Sequence, residues 1–114
     1  MPPATAVITE AQVRSYVCAM SGQMEEARRI ILECEEKIAH ERDEDMDPDS
    51  LANFAIIHSK LGEKDRALEW LKRCFDVHAI TPFSIKLSPY YDEIASDPKF
   101  DELMKKYIRS LGGT

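Results

Sequence analysis

Apolar residues recur along this chain three and four positions apart, and the alternation that a half-buried strand needs is almost absent. Glycine and proline cut the pattern into segments, so the sequence predicts an all-α protein. The first predicted helix covers residues 10–20. Thr9 serves as its N-cap, Gln12 completes a capping box, and Val13, Tyr16, Val17 and Met20 form its apolar face. Gly22 ends it. The second helix covers residues 24–40, opening on Glu25 and Glu26 and closing on Lys37 and His40 in the sense the helix dipole favours. Its stripe is Ala27, Ile30, Ile31, Cys34 and Ile38.

Residues 41–50 are the most polar stretch and hold both a stop and a restart, since Asp47 can cap a helix that has Pro48 at its first position. The third helix, residues 48–60, aligns Leu51, Phe54, Ala55 and His58, and Gly62 closes it as Gly22 closes the first. The fourth, residues 64–78, carries Ala67, Leu71 and Cys74, with Leu68 and Phe75 widening the apolar face so that neighbours can pack on two sides. Thr81-Pro82 and Ser88-Pro89 then read as turns or one-turn helices. A last regular helix begins at Ser96-Asp97-Pro98, and its Phe100, Leu103, Met104, Tyr107, Ile108 and Leu111 keep the helical period up to Gly112-Gly113.

The chain repeats itself once. An offset of 40 residues sets Gly22 on Gly62, Ala27 on Ala67 and Cys34 on Cys74, and brings Val17 onto Ile57, Glu25 onto Asp65 and Ile31 onto Leu71. Glycine makes a tight turn between helices, and the small Ala and Cys positions allow two antiparallel helices to approach closely.

The stretch from Leu61-Gly62-Glu63 through Ala67-Leu68-Glu69-Trp70-Leu71, with Ala55 upstream, resembles the tetratricopeptide repeat, a helix–turn–helix unit of about 34 residues. The first copy keeps Gly22 and Ala27 but has Ser15 and Ser21 where the family places a small residue and a leucine. The extra length of the 40-residue spacing falls in the second helix and the acidic loop after it. Tyr90-Tyr91-Asp92-Glu93-Ile94-Ala95-Ser96-Asp97-Pro98-Lys99-Phe100 resembles the segment that closes many bacterial arrays of this repeat. The resemblance therefore implies a solenoid of two antiparallel helix pairs with a C-terminal capping helix. Its parts would be a flexible N-terminus over residues 1–8, repeats over about 9–42 and 48–80, and a cap over about 81–111.

The remaining composition narrows the function classes. Twenty-one acidic against fifteen basic side chains give a net charge of −6, with no segregated basic face, which disfavours nucleic acid and anionic membrane surfaces as partners. No run reaches the roughly 18 to 20 apolar residues of a membrane span, and the first residues lack the pattern of a secretory signal, so a cytoplasmic protein is expected. Three cysteines, Cys18, Cys34 and Cys74, without any Cys-x-x-Cys, fit reduced buried thiols better than disulfides or zinc.

Candidate chemistry is thin. The run Asp43-Glu44-Asp45-Met46-Asp47-Pro48-Asp49 alternates carboxylates like a calcium loop, but Pro48 stands where that loop needs glycine and Phe54 where it needs glutamate, so no metal is expected. Cys18 and His58 hold equivalent register positions and suggest a thiol–imidazole pair, yet no orienting third group or oxyanion site accompanies them. His40 and His78 sit near helix C-termini, where the dipole accounts for them. Trp70 is either a recognition anchor or a packing residue against the following segment, near Pro82 or Phe83, and packing is favoured. No phosphate loop, dinucleotide glycine pattern or His-Glu-x-x-His motif is present, so neither an enzyme nor a cofactor is expected.

The resemblance implies a protein-interaction module, in which the first helices of the repeats line a groove for a peptide or partner helix. Groove positions carried over from the family fall on Gln12, Tyr16, Ala19 and Met20 and on Ala52, Asn53, Ile56, Ser59 and Lys60. Asn53 matches one asparagine of the carboxylate clamp of chaperone-binding members, but Gln12 and Tyr16 replace its lysine and second asparagine. A hydrophobic or aromatic-bearing ligand fits this set better than a chaperone tail. The other readings are a self-associating assembly module, as a homodimer, or the end of a longer array.

Overall fold

The computed structural model describes residues 4–79 and 89–112. Among them all regular structure is helical: α1 (Ala4–Met20), α2 (Met24–Lys37), a 3-10 turn (Asp43–Asp45), α3 (Pro48–Lys60), α4 (Lys64–Asp76), a second 3-10 turn (Pro89–Tyr91), α5 (Asp92–Ala95) and α6 (Pro98–Gly112). The predicted starts at Pro82 and Ser88, and the proposed packing partners Pro82 and Phe83, lie outside the described residues. No helix among the described residues is long and apolar enough to cross a membrane.

The repeat seen in the sequence is a repeat of backbone. Gly22 and Gly62 both adopt left-handed φ, +82° and +75°, where an L side chain is strained. Around each, the same bonds recur: Gln23 N–H donates to Cys18 O at 2.8 Å as Glu63 N–H donates to His58 O at 3.0 Å, and Ala27 N–H reaches Gln23 O as Ala67 N–H reaches Glu63 O, both at 3.0 Å. These bonds satisfy groups that a helix end leaves unpaired. Consequently α1 folds back on α2 and α3 on α4, with Ala27 and Ala67 fully buried in their pairs and α3 also resting on α1.

The stripes predicted for α2, α3 and α4 become core. Ile31, Cys34 and Ile38 of the first pair meet Leu51, Phe54, Ala55, Ala67, Leu71 and Cys74 of the second in one cluster. Asp47 caps α3 as predicted, accepting a hydrogen bond from the Ser50 amide at 3.3 Å with Pro48 at the first turn. Helices α2 and α4 stop at Lys37 and Asp76, two or three residues before the expected His40 and His78 (40 − 37 = 3, 78 − 76 = 2). His78 takes a φ of +57° beyond its helix.

Helix α1 differs from its prediction in two respects. It begins at Ala4, so Thr9 lies inside the helix and caps nothing, and the expected flexible lead is helical from Ala4 onward. No glycine or proline occurs between Pro3 and Gly22, and the added residues bring Ile8 against the core beside Ala11. Its inward face is also not the expected one. Val13, Val17 and Met20 are 56%, 55% and 60% exposed, whereas Gln12, Ser15 and Ala19 are buried. Two hydrogen bonds make that polar face admissible: Gln12 Nε2 donates to the Ser50 carbonyl at 2.8 Å, and Ser15 Oγ donates to the Ala27 carbonyl at 2.7 Å.

The C-terminal segment covers the second pair. Tyr91, Ile94, Phe100 and Met104 are buried against α3 and α4, and Leu103 and Tyr107 pack at the edge of the same core. The Phe75 and Tyr107 rings meet at 4.9 Å, and the Tyr107 hydroxyl donates to Asp76.

Candidate interaction groove

Between α1 and α3 the chain leaves a shallow apolar groove of about 250 Å³, lined by Gln12, Val13, Tyr16, Asn53, Ile56, Ile57 and Tyr90. Its floor is organised by the buried Gln12. With Nε2 committed to Ser50, the Gln12 amide oxygen accepts from Asn53 Nδ2 at 3.3 Å, which orients the Asn53 carboxamide from α3. Tyr16 supplies one wall from α1, Ile56 another from α3, and Tyr90 closes the groove from the start of the cap.

Four of the nine predicted groove residues therefore share one site: Gln12, Tyr16, Asn53 and Ile56. The others point elsewhere or are already engaged. Ala19 and Ser59 are buried, Ala52 is half-buried beside the core, and Met20 is exposed away from the groove lining. Lys60 pairs with Glu93 at 2.8 Å, tying α3 to the cap. Burial pushes the Glu93 carboxyl upward, but the Lys60 hydrogen bond and charge outweigh it and hold Glu93 below the usual carboxylate value, while Lys60 is raised in turn. Val13, Ile57 and Tyr90 complete the groove and were not among the predicted residues. Tyr90 enters through the path of the cap, which helical periodicity does not encode.

A larger cavity of about 420 Å³ lies between α1, α2 and the start of α3, over Ile8, Ala11, Ile30, Cys34, Ile38 and Met46. Its rim sets Arg14, Arg29, Lys37 and His40 against Glu33, Glu41, Asp45 and Asp47, so neither sign of ligand charge is selected. The groove is smaller but predominantly apolar, and its walls come from the facing sides of α1 and α3 together with the start of the cap.

The candidate chemistry resolves into structural contacts. His58 is fully buried, with Nε2 2.9 Å from Glu35 and Nδ1 3.2 Å from Glu63. Both ring nitrogens thus face carboxylate oxygens, and neither is left for Cys18 or any other nucleophile. Glu35 also accepts from Trp70 Nε1 at 2.6 Å and lies 3.7 Å from Arg66, so one α2 carboxylate joins α3 and α4. Trp70 is buried as packing predicts; among the described residues its ring stacks on Phe54 at 4.3 Å between centroids, and the Arg73 guanidinium lies over it at 3.9 Å. In the acidic loop Asp43 binds Arg73 in a two-pronged pair at 2.6 and 3.0 Å. Burial raises the Cys34 thiol and pushes Cys74 up to about 12, which removes both from thiolate chemistry near neutrality. Among the described residues no group of His, Cys, Asp and Glu is arranged to hold a metal ion.

Protein-family models, curated proteins and solved structures all fail to give a match to this chain.

Proposed function

We propose that this chain is a non-enzymatic interaction module that takes an apolar or aromatic side chain of a partner protein into the groove between α1 and α3. The observation that carries this reading is the convergence of Tyr16, Ile56 and Tyr90 around the oriented Asn53 carboxamide. At about 250 Å³ the groove is below the roughly 300 to 1,000 Å³ of pockets that enclose small molecules, and it suits one or two side chains of a longer ligand. Asn53 offers hydrogen bonding to the ligand backbone, while the tyrosines supply rigid contact area at low entropic cost.

The matched glycine turns support a tetratricopeptide-like solenoid as the frame of this groove, and the reduced, buried thiols support a cytoplasmic setting. Selection of short random peptides on the immobilised chain tests the proposal. Selected peptides are expected to be rich in apolar or aromatic residues, to shift the amide resonances of Asn53, Ile56 and Tyr90, and to lose binding to Tyr16→Asp. Peptides that bind Tyr16→Asp undiminished and leave those resonances unmoved would sink it.

A further inference from the structure

We infer that His58, with Glu35 and Glu63, forms a proton-dependent clasp between the two helix pairs, closed while the imidazole ring carries both of its protons and loosened when it gives one up. The ring belongs to α3 and is fully buried. Its Nε2 lies 2.9 Å from a Glu35 oxygen of α2, and its Nδ1 lies 3.2 Å from a Glu63 oxygen at the turn into α4. A neutral imidazole has a single N–H, so it donates to one of these carboxylates and turns a bare lone pair toward the other. In a buried site that opposition is costly. The imidazolium removes it by donating from both nitrogens.

The surrounding groups put this proton on the ring rather than on a carboxyl group. The Arg28 guanidinium stands 3.5 Å from Glu63, Arg66 stands 3.7 Å from Glu35, and Trp70 Nε1 donates to Glu35 at 2.6 Å. Each contact favours the ionised carboxylate. From the other elements packed on α3, Glu93 of the cap pairs with Lys60 at 2.8 Å, and Asp92 and Tyr16 also act on Lys60 by charge. Cys18 of α1 finds both ring nitrogens taken. Glu35 belongs to the first pair and His58 and Glu63 to the second, so the clasp joins the pairs through their interior. An unfolded chain releases a histidine proton near the ordinary value of about 6.5, whereas the folded cluster holds it to higher pH. The contribution of the clasp is therefore whole between the carboxylate range and that value. Above it stability falls, by up to about tenfold in the folded-to-unfolded ratio per pH unit while only the folded chain keeps the proton.

Ring-nitrogen NMR of the whole chain tests this, with free histidine as the neutral reference. At about pH 8, above the ordinary histidine range, both ring nitrogens of His58 are expected to carry protons. Glu63→Gln keeps the shape of the site and offers an amide N–H to a bare Nδ1, so a neutral ring is satisfied there. That variant is expected to fold, to show a neutral His58 ring at the same pH, and to flatten the fall in denaturation midpoint that the unmodified chain shows between about pH 6.5 and 8. A neutral His58 ring in the unmodified chain at about pH 8, or a ring that keeps both protons in Glu63→Gln, would overturn the inference. Neither residue lines the groove, so this outcome and that of the peptide selection are read separately.

Discussion

At position 17 a valine stands largely in water, while 40 residues later, at the equivalent point of the second pair, Ile57 is 2% exposed. Arg14 and Phe54 make the same contrast, and so do Ser21 and Leu61. The turn bonds of the two pairs agree within about 0.2 Å, so the difference does not arise in the backbone. It arises from neighbours: among the described residues, the second pair is packed by α1 on one side and by the cap on the other, the first only by the second. One helix-pair unit thus accepts polar and exposed residues where it has a neighbour on one side and demands apolar ones where it has neighbours on both.

The largest test of this contrast is Phe54→Ala, which removes a fully buried ring and its Trp70 stack and is expected to cost about 3 to 5 kcal/mol in chemical denaturation. Arg14→Ala, at the equivalent exposed site, should change stability by less than about 0.5 kcal/mol. Next comes Ile57→Ala, at about 2 to 4 kcal/mol, against a near-neutral Val17→Ala. Similar losses at Ile57 and Val17 would mean that α1 is covered on its outer edge in the folded single copy.

Where the two pairs are alike, the effects should converge. Gly22→Ala and Gly62→Ala place a Cβ in open space, so each should lose only the conformational cost of the left-handed backbone, about 1 to 2 kcal/mol. The smallest expected effect belongs to the tie between α3 and the cap. Glu93 is held below its unfolded value, so its contribution is present above the ordinary carboxylate range and disappears as pH falls through the depressed value. The partly exposed Lys60 pair is screened by solvent. Lys60→Met should therefore lower stability by about 0.5 kcal/mol at neutral pH, and its denaturation midpoint should converge on that of the unmodified chain once the pH falls below the depressed Glu93 value.

The helices α2, α3 and α4 are legible because burial there is secured by apolar side chains, whose spacing is a local property. Helix α1 was misread for the converse reason. Its buried face is made of Gln12 and Ser15, whose acceptors are the carbonyls of Ser50 and Ala27, and nothing near position 12 in the chain announces an acceptor at position 50. The same holds for His58, where the sequence offered Cys18 by register and the fold supplied Glu35 and Glu63. Four of the seven groove-lining residues, Gln12, Tyr16, Asn53 and Ile56, were legible. Ala19 and Ser59 were not, because a helix turns about 100° per residue and carries them inward.

The three-residue links between paired helices bear on how the chain acquires its structure. A helix that finds its partner directly across a short turn closes little loop, and such local topologies fold rapidly. The second pair, holding Leu51, Leu71, Cys74 and the Phe54–Trp70 stack, is expected to form first, with the first pair then docking through Gln12 and Glu35. Opening should run in the reverse order. Amide hydrogens in the middle of α1 should exchange through partial opening while those in the middle of α3 await global unfolding, so the pair with the more exposed outer helix is also the pair that yields first.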